Sequence, residues 1–588
     1  MSDSPKWTRR GFLEAVGRAG GAAAVYETMV AMGMIRVPQA FAGPPEIGCD
    51  PKEKRVVILG AGVAGLTAAY ELIRAGFHVT ILEAKKRAGG RSYTVRNGDT
   101  IEEGTGANKT TQVCQFDQGA DFYLNAGPGR LPYHHTAILH YCKVLGVALE
   151  VYTMMTRANF FQNGDAKWFV AGAGGTKPEP PGPKTNRRIA NDTRGWISEL
   201  LAKCPGLDAE LAEKKWGGVS KNDLLNLLTI FGDLDANHEY HGSSRSGYVV
   251  QPGIESCGQI AAPLTLPALL SSKFWEHRFY QAEDYEWQPT LFQPVGGMDQ
   301  IWKGFLREIE KKCEEGKCEI VYEAEVESVN VGQQSVRVFA KGRQFDVHWV
   351  ISTIPIPILA DMARNNLHGF SDEYLDALGA VKFEPTVKVG WQADTRFWET
   401  RDQMYGGISY TTDPITQIWY PSWAYFTQKG ILTGAYNYDD GPGHENASDY
   451  GKMKPEKRLE EAWKGLKKVH PNVTNNDVPI ERGISIAWQN VPYQGGGWAK
   501  DWGCGDQIPP VLLKAAAPYG RFWVAGDQVS YLSGWQEGAV RSACHVLEQL
   551  AGKDCTCEWA KGERVEGVAP AAALRKAPSV RRRTRGLP

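Results

Sequence analysis

Between residues 55 and 83 a strand, a glycine turn, a helix and a second strand follow one another, and this run constrains the fold more than any other. Arg55-Val56-Val57-Ile58-Leu59 is short, apolar and β-branched, which reads as a parallel strand buried on both faces. Gly60-Ala61-Gly62-Val63-Ala64-Gly65 follows, and Leu66, Ala69, Leu72 and Ile73 then recur at helical spacing. His78-Val79-Thr80-Ile81-Leu82 reads as the second strand, closed by Glu83 about 18 residues beyond Gly65. A glycine triplet alone is weak evidence. Placed between strand and helix it leaves backbone N–H groups and a helix dipole free to hold a pyrophosphate. A carboxylate at Glu83 accepts both hydroxyls of a ribose and repels a 2′-phosphate. The run therefore predicts a Rossmann-like α/β domain that binds a dinucleotide.

The rest of the chain bounds what surrounds that domain. With 588 residues it exceeds one hydrophobic core, so two or three domains are expected. Hydrophobic residues make up 42% and charged residues 23%, as in soluble globular proteins rather than disordered ones. A formal net charge of −1 gives no basis for a nucleic-acid partner. The basic cluster at residues 575–585, with Arg581, Arg582 and Arg583 adjacent, reads as a solvated tail. Eleven cysteines lack the paired CxxC spacing of a zinc site, so no metal is expected. Cys555 and Cys557 are too close for an easy disulfide. Cys313 and Cys318 flank a Glu-Glu-Gly-Lys turn and are open to either a disulfide or two separate thiols.

The first 42 residues read as an address. Thr8-Arg9-Arg10-Gly11-Phe12-Leu13 has the form of a twin-arginine export signal, followed by a modestly apolar stretch at 15–35 and an Ala40-Phe41-Ala42 cleavage site. Arg18 and Glu27 interrupt that stretch, which argues against a membrane anchor. A periplasmic or secreted protein is expected.

Further motifs carry a resemblance. Arg87-Ala88-Gly89-Gly90-Arg91 resembles the second glycine-rich segment of the flavin amine oxidases, where the backbone and the arginine face the FAD pyrophosphate. Arg521-Phe522-Trp523-Val524-Ala525-Gly526-Asp527 and Ser533-Gly534-Trp535-Gln536-Glu537-Gly538-Ala539-Val540 resemble the family's closing strand and helix, with Asp527 where most relatives carry Glu. Phe292-Gln293-Pro294-Val295-Gly296-Gly297-Met298 and Val350-Ile351-Ser352-Thr353-Ile354-Pro355 look like further landmarks, so the resemblance runs from about residue 53 to about 552. It implies FAD, held by Gly60, Gly62, Ala64, Gly65, Glu83, Ala84, Gly90, Arg91, Gly129, Arg130, Val326, Gly526, Asp527, Gly534, Trp535 and Ala539. Trp498, in Gly495-Gly496-Gly497-Trp498, falls where some relatives carry the cysteine that bonds the flavin, which implies a non-covalent cofactor.

Within that family, Asn125-Ala126-Gly127-Pro128-Gly129-Arg130-Leu131-Pro132 is similar to the segment whose arginine binds a substrate α-carboxylate, although many relatives are larger at Gly129. Leu432-Thr433-Gly434-Ala435-Tyr436 resembles the strand whose tyrosine touches the same carboxylate. Thr386-Val387-Lys388-Val389-Gly390, ahead of Arg396-Phe397-Trp398-Glu399, resembles the strand whose lysine binds a water near flavin N5, and Trp535 matches an aromatic wall. Without the resemblance, Arg130 reads as a surface residue in an ion pair, Tyr436 as packing, and Lys388 as pointing outward. The implied activity is oxidative deamination of an L-amino acid to a 2-oxo acid, ammonia and hydrogen peroxide, with Arg130, Tyr436, Lys388 and Trp535 at the reaction. An oxidase or dehydrogenase of a non-carboxylated amine, an L-amino-acid 2-monooxygenase, and a non-enzymatic flavoprotein are the alternatives.

Phe231-Gly232-Asp233-Leu234, the run from His241 to Tyr248, and Tyr141-Cys142-Lys143-Val144-Leu145-Gly146-Val147 resemble the bacterial L-glutamate oxidase branch. There the helical region before Phe292 selects the side chain, making Lys273, His277, Arg278 and Glu283 candidates. The expected plan is mixed α/β: an FAD-binding domain from 53–130, 286–355 and 500–552, a helical insertion at 131–285, and a mixed-sheet substrate domain at 356–499. The signal at 1–42 and the tail at 553–588 flank it. Residues 136–145 and 196–201 have helical spacing, 98–118 reads as a surface insertion, and 178–183 is too rich in proline for a helix. A homodimer binding a small L-amino acid and O2 is the expected assembly.

Overall fold

The structure is a computed structural model describing residues 41, 43–45, 47, 54–172, 175–206, 220–438, 447–500, 513 and 516–554. The twin-arginine segment, the basic tail, Cys555 and Cys557 lie outside the described residues, as does the cleavage site apart from Phe41.

The run at 55–83 folds as its pattern predicts, into strands Arg55–Leu59 and His78–Glu83 joined by helix Val63–Arg74. These strands sit inside a five-stranded, wholly parallel sheet ordered Cys318–Tyr322, His78–Glu83, Arg55–Leu59, Trp349–Ser352, Phe522–Val524. Strands from three distant stretches of chain thus join one sheet. Side chains alternate across it. Val56, Ile58, Ile81 and Ile351 pack on one face against Leu66, Leu72, Val540 and Leu547 of the helices. Val57, Leu59, Leu82 and Val350 pack on the other against a four-stranded sheet that includes Val326–Val331 and Val336–Ala340. Coverage on both faces is why these strands read as continuous apolar runs.

A second sheet of seven strands is mixed. Its order is Lys184–Thr185, Phe160–Gln162, Ile408–Thr411, Gln417–Trp419, Gly430–Asn437, Val387–Ala393, Gly483–Ala487, with one parallel pair, Ile408–Thr411 beside Phe160–Gln162. Two of these strands come from the segment expected to be helical. That segment does hold helices Thr136–Val144, Asn186–Ala202 and Lys221–Gly232, but also strand Leu149–Thr153, which pairs with Thr290–Pro294. A purely helical insertion is therefore a misreading, because Phe161 and Tyr152 bury their rings against the substrate sheet and its neighbours rather than within a bundle.

The stretch at 98–118 lies mostly at the surface, as expected, but is more regular than a loop. It forms a hairpin, Thr100–Glu103 with Thr110–Val113, that docks on the second sheet. Gln112 Nε2 donates to the Ser485 carbonyl at 2.7 Å, and Glu103 is buried. The proline-rich stretch contains no helix. Cys313 and Cys318 form a disulfide between the end of helix Gln300–Glu314 and the start of strand Cys318–Tyr322. Among the described residues no helix is long and apolar enough to cross a membrane.

Candidate active site

A large cavity opens where the parallel sheet's glycine turn meets the second sheet. Gly60 sits at φ +104°, and a Cβ there would stand 2.4 Å from Thr353 Oγ1. A Cβ on Gly65 would stand 2.1 Å from the Gly60 carbonyl oxygen, so the helix packs directly on the turn. Gly65 serves that packing and does not line the cavity; Gly60, Gly62 and Ala64 do. Helix Val63–Arg74 begins with no side-chain cap and no acidic residue in its first turn, leaving its N-terminal N–H groups open to an anion. Glu83 Oε2 accepts from Ala61 N at 2.8 Å and Oε1 from Lys85 N at 2.9 Å. Each oxygen keeps a second lone pair for a hydroxyl. Ala84, Gly90, Val326 and Ala539 also border the cavity.

Arg91 and Asp527 meet on the cavity wall. Arg91 Nη2 donates to Asp527 Oδ1 at 2.6 Å and Nη1 to the Gly497 carbonyl at 2.7 Å. Asp527 Oδ2 accepts from Gly534 N at 2.9 Å. The shorter acid still ties the glycine turn at 534 to the strand's end, with Gly526 at φ +132° making the bend. Uncapped N–H groups, bare glycine backbone and a ribose-spaced carboxylate around one elongated space fit a flavin dinucleotide. No cysteine among the described residues lines it.

At the cavity's boundary with the second sheet lie Lys388, Tyr436, Trp498 and Trp535. Every residue of strand Val387–Ala393 is buried, which turns Lys388 inward although its neighbours are apolar. Lys388 Nζ donates to the carbonyls of Asn125 (3.0 Å) and Gly127 (2.5 Å). Burial, reinforced by the positive charge of Arg130, holds its pKa well below the ordinary lysine value. Tyr436 stands opposite Lys388 in the antiparallel register, and Lys388 Nζ lies 4.5 Å from its ring centroid. Burial first, then Tyr438, pushes the Tyr436 hydroxyl's pKa up, so it stays protonated and able to donate.

Arg130 and Gly129 are set back from the cavity wall. Gly129 borders a smaller cavity with Tyr123, Tyr152, Gln293 and Trp419. Arg130 is 4% exposed and its Nη1 has no hydrogen-bond partner. Its guanidinium lies over the rings of Trp419 (4.3 Å) and Trp287 (4.4 Å), and Trp287 packs on Trp535 at 5.1 Å. It is neither a surface residue nor bare to solvent. Of the four candidate selectors, Lys273 and Glu283 are exposed. His277 packs on Phe161, and only Arg278 reaches the site, lying 4.2 Å over Tyr438, which contacts both Tyr436 and Trp498.

Sequence reading missed Trp419, Trp287, Tyr438 and Trp488. None belongs to a motif, and the chain's 19 tryptophans give no means of choosing among them.

Comparison with known proteins agrees with this geometry. The chain is 25% identical over 529 residues to flavin-dependent L-tryptophan oxidase RebO of Lentzea aerocolonigenes, covering 85% of this chain and 98% of that one. It is 24% identical to an L-amino-acid oxidase of Pseudechis australis, covering 87% and 89%. Among solved structures it is similar to cyclohexylamine oxidase from Brevibacterium oxydans IH-35A, with a TM-score of 0.50 and 17% identity over 85% of this chain and 99% of that one. The family model for flavin containing amine oxidoreductase matches residues 63–550. With a dinucleotide cradle leading to a buried lysine and an aromatic wall, and that match over most of its length, the chain belongs to the flavin-containing amine oxidoreductases.

Proposed function

We propose that this protein is an FAD-dependent L-amino-acid oxidase, and the observation that carries the reading is Arg130: a buried guanidinium, beside Lys388 and Tyr436, with one nitrogen lacking any partner. Leaving such a donor unpaired in the interior is costly, so a ligand with oxygen acceptors belongs there. A substrate α-carboxylate accepts from Arg130 and from the Tyr436 hydroxyl, which places the α-carbon against the ring system while Trp535 closes the site. A bound FAD would supply the two-electron acceptor for the α-carbon's hydride, with O2 as the terminal oxidant yielding hydrogen peroxide. Lys388, anchored on the carbonyls of Asn125 and Gly127, presents its nitrogen to the cavity beside that chemistry. The names of the relatives, which act on L-amino acids and L-tryptophan, support the same substrate class.

The set-back position of Arg130 favours a second reading, an enzyme for a non-carboxylated amine, in which the guanidinium only packs on aromatic rings. Arg130→Ala separates the two. Anaerobic bleaching of the flavin with the twenty L-amino acids, and with benzylamine, reads affinity directly. Loss of about 100-fold for the best amino acid with benzylamine unchanged supports the oxidase; equal effects on both support the amine enzyme.

Export by the twin-arginine route is part of the proposal. The Cys313–Cys318 disulfide suits an oxidising compartment, and retention of an Arg9→Lys/Arg10→Lys variant in the cytoplasmic fraction tests it. A homodimer is proposed as well. Leu200, Leu201, Leu227, Ile230 and Phe231 are exposed on two helices, Asn186–Ala202 and Lys221–Gly232, and a monomeric mass by light scattering would exclude it.

A further inference from the structure

Gly129 is the starting point. A Cβ built there would stand 2.7 Å from Trp419 Cζ3, so the indole fills the space that a larger residue at 129 would take. The same indole meets both nitrogen-bearing side chains of the site. The guanidinium of Arg130 is 4.3 Å from its centroid and Lys388 Nζ 4.7 Å, while Tyr436 meets it edge-on at 4.8 Å. The ring is itself fixed: Trp419 Nε1 donates to Gln417 Oε1 at 2.9 Å, and Gln417 is fully buried. The ring borders the smaller cavity on one side, and this hydrogen bond fixes the edge that carries Nε1.

An aromatic face attracts a cation through its quadrupole and, unlike a carboxylate, leaves the donor hydrogens free. That is what an anion-binding arginine requires. A salt bridge would orient Arg130 but occupy it; an indole orients it and leaves Nη1 unpartnered.

We propose that Trp419 is the positioning residue for Arg130, holding the guanidinium at a fixed distance from Lys388 and Tyr436 so that the substrate carboxylate is received in one orientation. The proposal rests on Arg130 being the carboxylate anchor.

The test uses the purified holoenzyme and the L-amino acid that bleaches its flavin fastest. Trp419→Leu is expected to raise KM about 10-fold with a smaller change in kcat, and Trp419→Phe to recover most of the loss. Gly129→Ala displaces the ring without changing its chemistry and is expected to raise KM in the same direction. In an Arg130→Ala background, Trp419→Leu is expected to add less than about 2-fold, because its effect runs through the missing guanidinium. Flavin content and visible spectrum report that each variant is folded. If Arg130→Ala raises KM but Trp419→Leu and Gly129→Ala do not, this proposal fails and the carboxylate reading stands. An equal effect of Trp419→Leu in both backgrounds also overturns it, since the ring then acts on something other than Arg130. If Arg130→Ala leaves KM unchanged, both readings fall together.

Discussion

The basic side chains around this cavity are held in different ways, and the difference sets what each residue can do. Lys388 is satisfied by two backbone carbonyls, Arg91 by a carboxylate and a carbonyl, and Arg130 by aromatic faces. Away from the cavity wall, half-buried Glu150 accepts from Gln293 Nε2 at 2.9 Å, and burial pushes its pKa up to about 7. In the unfolded chain a glutamate titrates at about 4.3, so the folded state holds this proton more tightly. Stability is therefore lost as pH rises between those two values, and the loss is complete above the folded pKa. Glu150→Gln keeps the shape without the charge. Its melting temperature is expected to match the parent at about pH 4 and to exceed it at about pH 8, measured by scanning calorimetry.

Elements here are stabilised by partners remote in sequence. Helix Thr136–Val144, which follows the Arg130 segment, has no side-chain N-cap of its own and no acid in its first turn. Glu537, in the first turn of helix Gln536–Asp554, supplies the cap from 400 positions away. It accepts from Ala137 N at 3.1 Å and Ile138 N at 2.8 Å, and Arg541 Nε donates to it at 2.6 Å. Glu537→Ala leaves two buried N–H groups without an acceptor. A loss of about 1–3 kcal/mol is expected in urea unfolding, with Glu537→Gln losing less. The helical spacing at 136–145 was legible because it is local, whereas its cap was not. Strands Phe160–Gln162 and Lys184–Thr185 were illegible for a related reason, being too short to show a period of two.

At the scale of the molecule, the hairpin at Thr100–Glu103 and Thr110–Val113 fastens the dinucleotide-binding part to the second sheet. Glu103 accepts from Arg458 Nη2 at 2.7 Å and from Ala487 N at 2.8 Å, and Arg458 is wholly buried. Removing one partner strands the other charge. Arg458→Met is expected to cost about 3–5 kcal/mol in thermal or denaturant unfolding, and pairing it with Glu103→Gln to restore part of that. Such a fastening matters for function because the cavity draws Gly60 and Glu83 from one sheet and Lys388 and Tyr436 from the other.

The dinucleotide cradle and its strand–turn–helix frame were legible in the residues themselves, whereas Lys388, Tyr436 and Trp535 could be picked out as cavity residues only through motifs shared with the family. Turn chemistry, side-chain periodicity and motif spacing are properties of neighbours along the chain, and these residues stand within such local patterns. What holds Arg130, why position 129 is glycine, and where the hairpin docks became visible once the chain was folded. Those depend on Trp287, Trp419 and Arg458, each more than about 100 residues away, and a charge responds to whatever lies within a few ångströms regardless of its place in the chain.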